Sequence, residues 1–176
     1  SVAVSPDGTK LAAAIQAEAY NEPGRVALFA CNEDGTLTFE QAVETGVQPD
    51  MVTFTPDGTK ILTADEGEPR EGYGAGTEDP KGTVTVIDTA TLQAETVGFE
   101  SFDPQREALT SQGIVIKKGT APSVDFEPEY IAAADDTAYI TLQEANAIAV
   151  LDLSDNTFSG IYSAGFEDYS ETAVDI

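Results

Sequence analysis

Acidic residues recur at matching places along the sequence, and their chemistry is that of hard-cation binding. Asp50 precedes Glu129 by 79 residues and Glu66 precedes Glu144 by 78, and the residues around them match as well. Carboxylates without histidine suit Ca²⁺ or Mg²⁺, which prefer oxygen ligands. Three interpretations stay open: a solvated acidic rim with one or two carboxylates capping loop amides, a calcium site, or direct participation of the carboxylates in catalysis. The candidate metal ligands are Asp50, Glu66, Glu68, Glu127, Glu129 and Glu144.

Three further residues are candidates for contact with a ligand. Arg70 and Arg106 could together hold an anionic group, although Arg70 could equally bridge nearby carboxylates. Tyr73 lies in the glycine-rich stretch 72–76, which lacks the Gly-Lys-Ser/Thr ending of a phosphate-binding loop, and we expect this tyrosine to be exposed. Because the sequence contains no histidine, no nucleophile can be paired with a histidine base, and no catalytic residues are identified.

The composition excludes several classes of function. The 176 residues include 32 Asp or Glu but only 8 Lys or Arg, and this net charge of −24 argues against nucleic-acid binding and against docking on anionic membranes. Without histidine and with Cys31 as the single cysteine, His-ligated zinc, haem and internal disulfides are excluded. With 41% hydrophobic residues the chain can bury a core. No apolar run approaches the roughly 20 residues of a membrane span, so no membrane insertion is expected.

An internal repeat defines the elements that must position these residues. Residues 6–10, Pro-Asp-Gly-Thr-Lys, return at 56–60, and a weaker third copy aligns 61–66 with 139–144. Each copy predicts four strands joined by polar turns, in which Pro presets φ and Gly tolerates positive φ. We therefore predict an all-β fold, a β-propeller fragment of about three four-stranded antiparallel blades with one short helix in an inter-blade insertion. A meander or sandwich is the alternative.

The repeat also divides the chain into blades and insertions. We predict a blade at 1–47, a blade at 48–98 with a long loop at 66–82, an insertion at 99–126, a blade at 127–162 and the start of another at 163–176. In the insertion, Asp103 is expected to cap a short helix near residues 104–112. Three blades do not close a ring, since propellers usually need about four to eight. We therefore expect open blade faces that favour self-association.

The strand order predicts that the acidic residues converge. Asp50 and Glu129 precede the inner strand of their blades, whereas Glu66 and Glu144 follow the second strand. In an antiparallel pair the start of one strand and the end of the next lie at the same end of the sheet. All four residues are therefore expected near the mouth of the propeller channel, with Glu68 and Glu127 joining them from flanking loops.

Several motifs in residues 49–176 resemble the choice-of-anchor I proteins in order and spacing. The motifs are Asp-Glu-Gly-Glu-Pro-Arg at 65–70 and the segments 79–88, 102–109, 127–131 and 141–152. This family comprises large secreted bacterial β-propellers with varied surface-sorting signals, so the resemblance implies an extracellular, cell-surface location. It implies little about activity, because members are described as alkaline phosphatase-like, phytase-like or surface-layer-like. Asp65 departs from the family pattern, in which Asn is expected in many members.

Three functions remain open after these exclusions. The favoured prediction is a binding or scaffolding module that uses a propeller face to contact a surface protein or glycan. The second is a calcium-dependent phosphoesterase of phytase-like or alkaline phosphatase-like type, in which metal ions would polarise phosphate and activate water. The third is a structural component of the cell envelope or surface layer. Calcium is the only cofactor that the residues favour.

Overall fold

A computed structural model describes residues 1–73, 76–167 and 170 of the chain. Within these residues it forms three separate four-stranded sheets. The first sheet consists of β1 (Val2–Val4), β2 (Lys10–Ile15), β3 (Pro23–Cys31) and β4 (Leu37–Val47). The second consists of β5 (Pro49–Phe54), β6 (Lys60–Asp65), β7 (Thr83–Asp88) and β8 (Ala94–Val97). The third consists of β9 (Pro128–Ala134), β10 (Thr137–Leu142), β11 (Ala147–Asp152) and β12 (Thr157–Ser163).

Every sheet is an antiparallel meander whose strands follow in chain order. Consecutive sheets contact one another, with β1 and β2 against β5, and β5 and β6 against β9. Successive four-stranded meanders that stack in this way are the blades of a β-propeller. The predicted all-β fold of three antiparallel blades is therefore confirmed. Of the segment 163–176, predicted to begin a further blade, residues 168, 169 and 171–176 lie outside the described residues.

The repeated Pro-Asp-Gly turns are held by their aspartates. The Asp7 carboxylate accepts hydrogen bonds from the backbone N–H of Thr9 (3.0 Å) and from the Ser5 hydroxyl (2.6 Å). Asp57 repeats these contacts in the second sheet. The next residue, Gly8 in the first turn, adopts φ +74°, which a residue with a side chain rarely adopts. The turn sequence thus fixes the register of the first two strands in each of these sheets.

The described residues form two hydrophobic cores between the sheets. The first, between the first two sheets, is built from Val26, Leu28, Val52, Ile61 and Ile87. The second, between the second and third sheets, also includes the insertion between them. There the ring of the fully buried Phe99 stacks on Phe158 (4.4 Å between centroids) and meets Phe126 edge-on. The insertion is therefore an integral part of the second core.

The short helix predicted in the insertion is present, but Asp103 does not cap it. Residues Glu100–Gln105 form a 3₁₀ helix that continues into α1 (Arg106–Ser111), and a further single turn, α2, spans Pro122–Asp125. Asp103 lies inside the 3₁₀ helix, and its carboxylate accepts hydrogen bonds from the N–H (2.8 Å) and the hydroxyl (2.9 Å) of Ser123. The prediction that Asp103 caps the helix was wrong, because the fold brings the N–H and hydroxyl groups of Ser123 in α2 to this carboxylate.

Large apolar side chains remain exposed on the outer faces of the first and third sheets. On the first sheet they are Val2, Val4, Ile15, Leu37 and Phe39, and on the third they are Tyr130, Tyr139, Ile148 and Tyr162. The two cores cover only the facing sides of the three sheets, so among the described residues nothing packs against these outer faces. None of the helices in the described part of the chain is long and apolar enough to cross a membrane.

Candidate functional site

Strand pairing brings the predicted acidic residues to one end of the blades. Asp50 and Glu129 are the second residues of β5 and β9, and Glu66 directly follows β6. Pro49 pairs with the last residue of β6, and Pro128 pairs with the last residue of β10. The six side chains therefore lie at the same end of the second and third blades, where the first strand of each blade begins and its second strand ends. We call them the acidic cluster: Asp50, Glu66, Glu68, Glu127, Glu129 and Glu144.

The carboxylates of the acidic cluster perturb one another. Partial burial, followed by repulsion from Glu68, Asp50 and Glu129, raises the pKa of Glu66 to about 7. Burial and repulsion from Glu144 and Glu66 likewise raise the pKa of Glu127 to about 7. The pKa of Glu129 is also raised, first by burial and then by repulsion from Glu144 and Asp50. Near neutral pH the cluster therefore holds protons that isolated carboxyl groups would have released.

The described carboxylates of the acidic cluster are not arranged as a metal coordination shell. Gln143 donates its side-chain amide to Glu129, which orients one of the carboxylates. Among the residues that the structure describes, no three Asp, Glu or Cys side chains are arranged to hold a metal ion. Side-chain rotation would be needed before several carboxylates could share one Ca²⁺, whose ligand distances are roughly 2.4 Å. The calcium site therefore stays a prediction.

The two arginines predicted as ligand contacts are engaged with the protein. Arg70 forms an exposed ion pair with Glu68 (3.5 Å between Nε and the carboxylate), which is the bridging role that the sequence left open. The Arg106 guanidinium donates to the carbonyl oxygens of Ile116 (3.2 Å), Lys117 (2.9 Å) and Thr120 (3.1 Å). Arg106 thus holds the loop after α1 in place.

Tyr73 is exposed, as predicted, and its partner is a lysine that sequence reasoning missed. The Lys117 ammonium lies 3.3 Å from the centroid of the Tyr73 ring and forms ion pairs with Asp79 (3.3 Å) and Asp125 (3.9 Å). Burial is the largest cause that raises the pKa of Tyr73, and the ammonium opposes it. Lys117 belongs to an insertion without a counterpart in the repeat, so no sequence pattern identified it.

Gln48 anchors the long loop 66–82 and was also missed. This residue is 2% exposed and has φ +57°, and its side-chain amide donates to the carbonyl oxygens of Tyr20 (2.8 Å) and Glu68 (2.7 Å). The Tyr20 hydroxyl in turn contacts the backbone of Glu78 (3.2 Å to its carbonyl oxygen). The loop that carries Glu68 and Arg70 is thereby tied to the first sheet.

Asp65 lies next to the acidic cluster but is fully buried. Its carboxylate accepts hydrogen bonds from the hydroxyls of Thr63 (2.7 Å), Thr83 (3.1 Å) and Thr85 (2.6 Å). The backbone N–H of Gly46, from the first sheet, donates to the same carboxylate at 3.2 Å. Burial outweighs these donors and raises the pKa of Asp65 to about 7. The residue therefore links the first and second blades from within.

Solved structures with a similar fold are distant in sequence. The chain is similar to Kuenenia stuttgartiensis hydrazine synthase with a TM-score of 0.57 at 18% identity, over 87% of this chain and 39% of that chain. It is also similar to a functionally unknown protein from Desulfotomaculum acetoxidans DSM 771, with a TM-score of 0.52 at 15% identity, over 91% of this chain and 41% of that chain. A third similar structure is that of U3-55K, with a TM-score of 0.55 at 11% identity, over 95% of this chain and 39% of that chain. The chain thus spans about two-fifths of each, and at these identities the likeness shows the fold alone.

Family comparison extends the resemblance seen in residues 49–176 to the whole sequence. No match was found among curated proteins. The family model described as the choice-of-anchor I domain matches residues 1–176, so the first blade is included as well as the motif-rich part. The repeat, the three blades and this full-length match agree, and the chain belongs to the choice-of-anchor I family.

Proposed function

We propose that this chain is a cell-surface binding module that uses the acidic cluster to contact a surface protein or glycan outside the cell. The observation that carries the proposal is the concentration of six carboxylates at one end of a rigid scaffold, with raised pKa values at Glu66, Glu127 and Glu129. Such repulsion costs stability unless cations or donors offset it. A partner that brings positive charge or hydrogen-bond donors would supply that offset.

The family supports the location in this proposal. The choice-of-anchor I match covers all of residues 1–176, and the family name refers to anchoring at the bacterial cell surface. The net charge of −24 suits an exposed, soluble surface domain. The described residues contain a propeller face rich in oxygen ligands, and the sequence contains no histidine to act as a base. Binding is therefore favoured over catalysis.

Calcium is the cofactor that the acidic cluster would take. A divalent ion would offset the repulsion around Glu66 and Glu127 and favour their ionised forms. Since protons and metal compete for the same carboxylates, Ca²⁺ binding should strengthen as the pH rises through about 7, the pKa of both groups. An ion held there could also bridge to the hydroxyl or carboxylate oxygens of a glycan.

The melting temperature in millimolar Ca²⁺ tests this cofactor. We expect Ca²⁺ to raise the melting temperature by mass action on the folded state. The double substitution Glu66→Gln and Glu129→Gln should abolish the shift, whereas Glu33→Gln, at an exposed turn of the first sheet, should preserve it. A melting temperature that stays constant across millimolar Ca²⁺ would remove calcium from the proposal.

Binding to cell-wall extracts tests the module itself. We expect the chain to be retained on such extracts and the Glu66→Gln and Glu129→Gln variant to be retained less. Equal retention of both would show that the acidic cluster is not the binding surface. If neither protein is retained on the extracts, the result would favour the third function, a structural component of the cell envelope.

The calcium-dependent phosphoesterase is the alternative, and the structure favours it less. Basic side chains near the acidic cluster that could hold phosphate are engaged, Arg70 with Glu68 and Lys117 with Asp79. Phosphate release from an aryl phosphate or from phytate, measured with and without Ca²⁺, separates the two functions. Release that requires Ca²⁺ and is lost in Glu66→Gln would overturn the binding module in favour of the enzyme.

A further inference from the structure

A cleft opens between the first and second sheets at the end opposite to the acidic cluster. Its volume is about 420 Å³, within the range of roughly 300–1,000 Å³ typical of ligand pockets. It lies between the Pro-Asp-Gly turns of the two sheets and the turn that joins β7 to β8. We call it the turn cleft, and its apolar walls are Leu28, Phe54, Ile61 and Leu92.

The rim of the turn cleft is acidic. Asp7, Asp57 and Glu40 contribute three carboxylates, and Lys10, which pairs with Glu40 at 2.5 Å, contributes one ammonium. Hydrogen bonds from neighbouring Ser and Thr hydroxyls lower the pKa values of both aspartates, so both are ionised at neutral pH. Net negative charge around an apolar floor complements a ligand that is both apolar and cationic.

Leu92 occupies a backbone conformation that its residue type disfavours. Its φ is +57°, whereas the corresponding turns of the first and third sheets use Gly35 (φ +81°) and Asn156 (φ +54°), which tolerate this region. The Leu92 side chain packs against the first core and forms a wall of the turn cleft. Of the three blades that the structure describes, only the second has a bulky apolar residue at this positive-φ turn position, and that residue forms part of the cleft wall.

A second difference between the blades keeps the cleft open. Thr89 and Leu153 are equivalent, because their N–H groups donate to the carbonyl oxygens of Thr59 (2.9 Å) and Asp136 (2.8 Å) in the preceding hairpin turn. Leu153 is 2% exposed and fills the core between the second and third sheets. Thr89 is smaller, and its hydroxyl turns to the carbonyl oxygen of Gly58 (2.9 Å). Leu153 thus fills the groove between the second and third sheets, whereas the equivalent groove between the first and second sheets, beside Thr89, stays open.

We propose that the turn cleft binds a short peptide segment that presents a leucine-sized side chain next to a lysine or arginine. The apolar side chain would enter against Leu92 and Ile61, and the cationic group would pair with Asp7 or Asp57 at the rim. This site is separate from the acidic cluster and does not depend on the proposed function. It gives the module a second contact surface at its opposite end.

A labelled synthetic peptide, Gly-Lys-Leu-Leu-Lys-Gly, is the probe for this site. Fluorescence polarisation against the 176-residue chain should show saturable binding. Replacing both lysines with glutamate, or both leucines with serine, should weaken binding about tenfold or more, because charge and apolar contact both contribute. Equal binding of all three peptides, or no saturable binding up to about 1 mM, would overturn the proposal.

Two substitutions in the chain locate the peptide. Thr89→Leu introduces the residue that fills the equivalent groove, and Leu92→Asn introduces the residue found at position 156. Each should weaken peptide binding about tenfold or more. Thr89→Leu should do so without lowering the melting temperature, because it fills a cleft, whereas Leu92→Asn relieves backbone strain but removes apolar contact with the first core. Ile148→Asn, at an exposed position on the third sheet, should leave binding unchanged. Unchanged binding in Thr89→Leu, or equal loss in Glu66→Gln, would place the peptide elsewhere and overturn the assignment.

Discussion

Replacing Asp65 by Asn tests how burial controls ionisation inside the second blade. The carboxylate is fully buried and accepts four hydrogen bonds, three of them at Oδ2 from Thr83, Thr85 and the N–H of Gly46. An Asn side chain can keep its carbonyl oxygen at this position and turn its amide group toward the Thr63 hydroxyl, which can rotate to accept. The substitution therefore preserves the network while removing the titratable group.

The magnitude follows from the raised pKa of Asp65. Burial raises it from 3.8 to about 7 in the folded protein, whereas the unfolded chain titrates near 3.8. Between these pH values the folded state binds more protons, so the stability of the native protein falls as the pH rises and levels off above 7. A difference of about three pKa units corresponds to at most about 4 kcal/mol. The Asp65→Asn variant has no titratable group at this position and does not lose stability in this way as the pH rises. It should therefore be more stable than the native protein at pH 7.5.

Urea unfolding followed by circular dichroism from pH 4 to pH 8 measures the effect. The free energy of unfolding of Asp65→Asn relative to the native protein should rise across this range by up to about 4 kcal/mol. Asp57→Asn is the control, because its carboxylate is exposed with a lowered pKa, so its profile should run parallel to that of the native protein above pH 4. Parallel profiles for Asp65→Asn would refute the claim that burial governs the ionisation of this group.

Two further predictions concern the core and the open faces. Phe99→Ala should lower the free energy of unfolding by about 3–5 kcal/mol, because a fully buried aromatic ring that stacks on Phe158 is removed. The control Phe166→Ala, at a side chain that is 77% exposed, should change it by less than about 0.5 kcal/mol, and equal losses would contradict the assigned core. The chain should self-associate through its outer sheet faces, and Phe39→Lys should reduce the mass measured by light scattering. A concentration-independent monomer in both proteins would contradict this expectation.

The repeat allowed the architecture to be predicted, because strand order and turn chemistry are local properties. The Pro-Asp-Gly turns at 6–8 and 56–58 mark where strands reverse, and counting reversals shows which strand ends meet. For this reason the convergence of Asp50, Glu66 and Glu129 could be predicted without coordinates. The short helix near residues 104–112 could also be predicted, because helix-start signals are local in the sequence.

The sequence could not predict contacts that insertions make with distant residues. Three such contacts each involve an insertion that has no counterpart in the repeat. They are the cation–π contact of Lys117 with Tyr73, the anchoring of loop 66–82 by Gln48 and the hydrogen bonds from Arg106 to carbonyl oxygens. Likewise, Asp103 was predicted to cap the helix that follows it. The fold instead brings Ser123 to its carboxylate, and a local signal cannot anticipate that donor.

The sequence by itself determined that this chain forms four-stranded blades and that its acidic residues gather at one end, since both follow from periodicity and antiparallel order. Only the tertiary structure decided which of these groups are buried. It leaves Glu66 partly covered, encloses the neighbouring Asp65 and leaves a cleft beside Thr89 where Leu153 fills the equivalent groove. The reason is physical: pKa values and cavity volumes depend on atoms contributed by neighbouring blades, and the repeat pattern alone does not specify how those atoms pack.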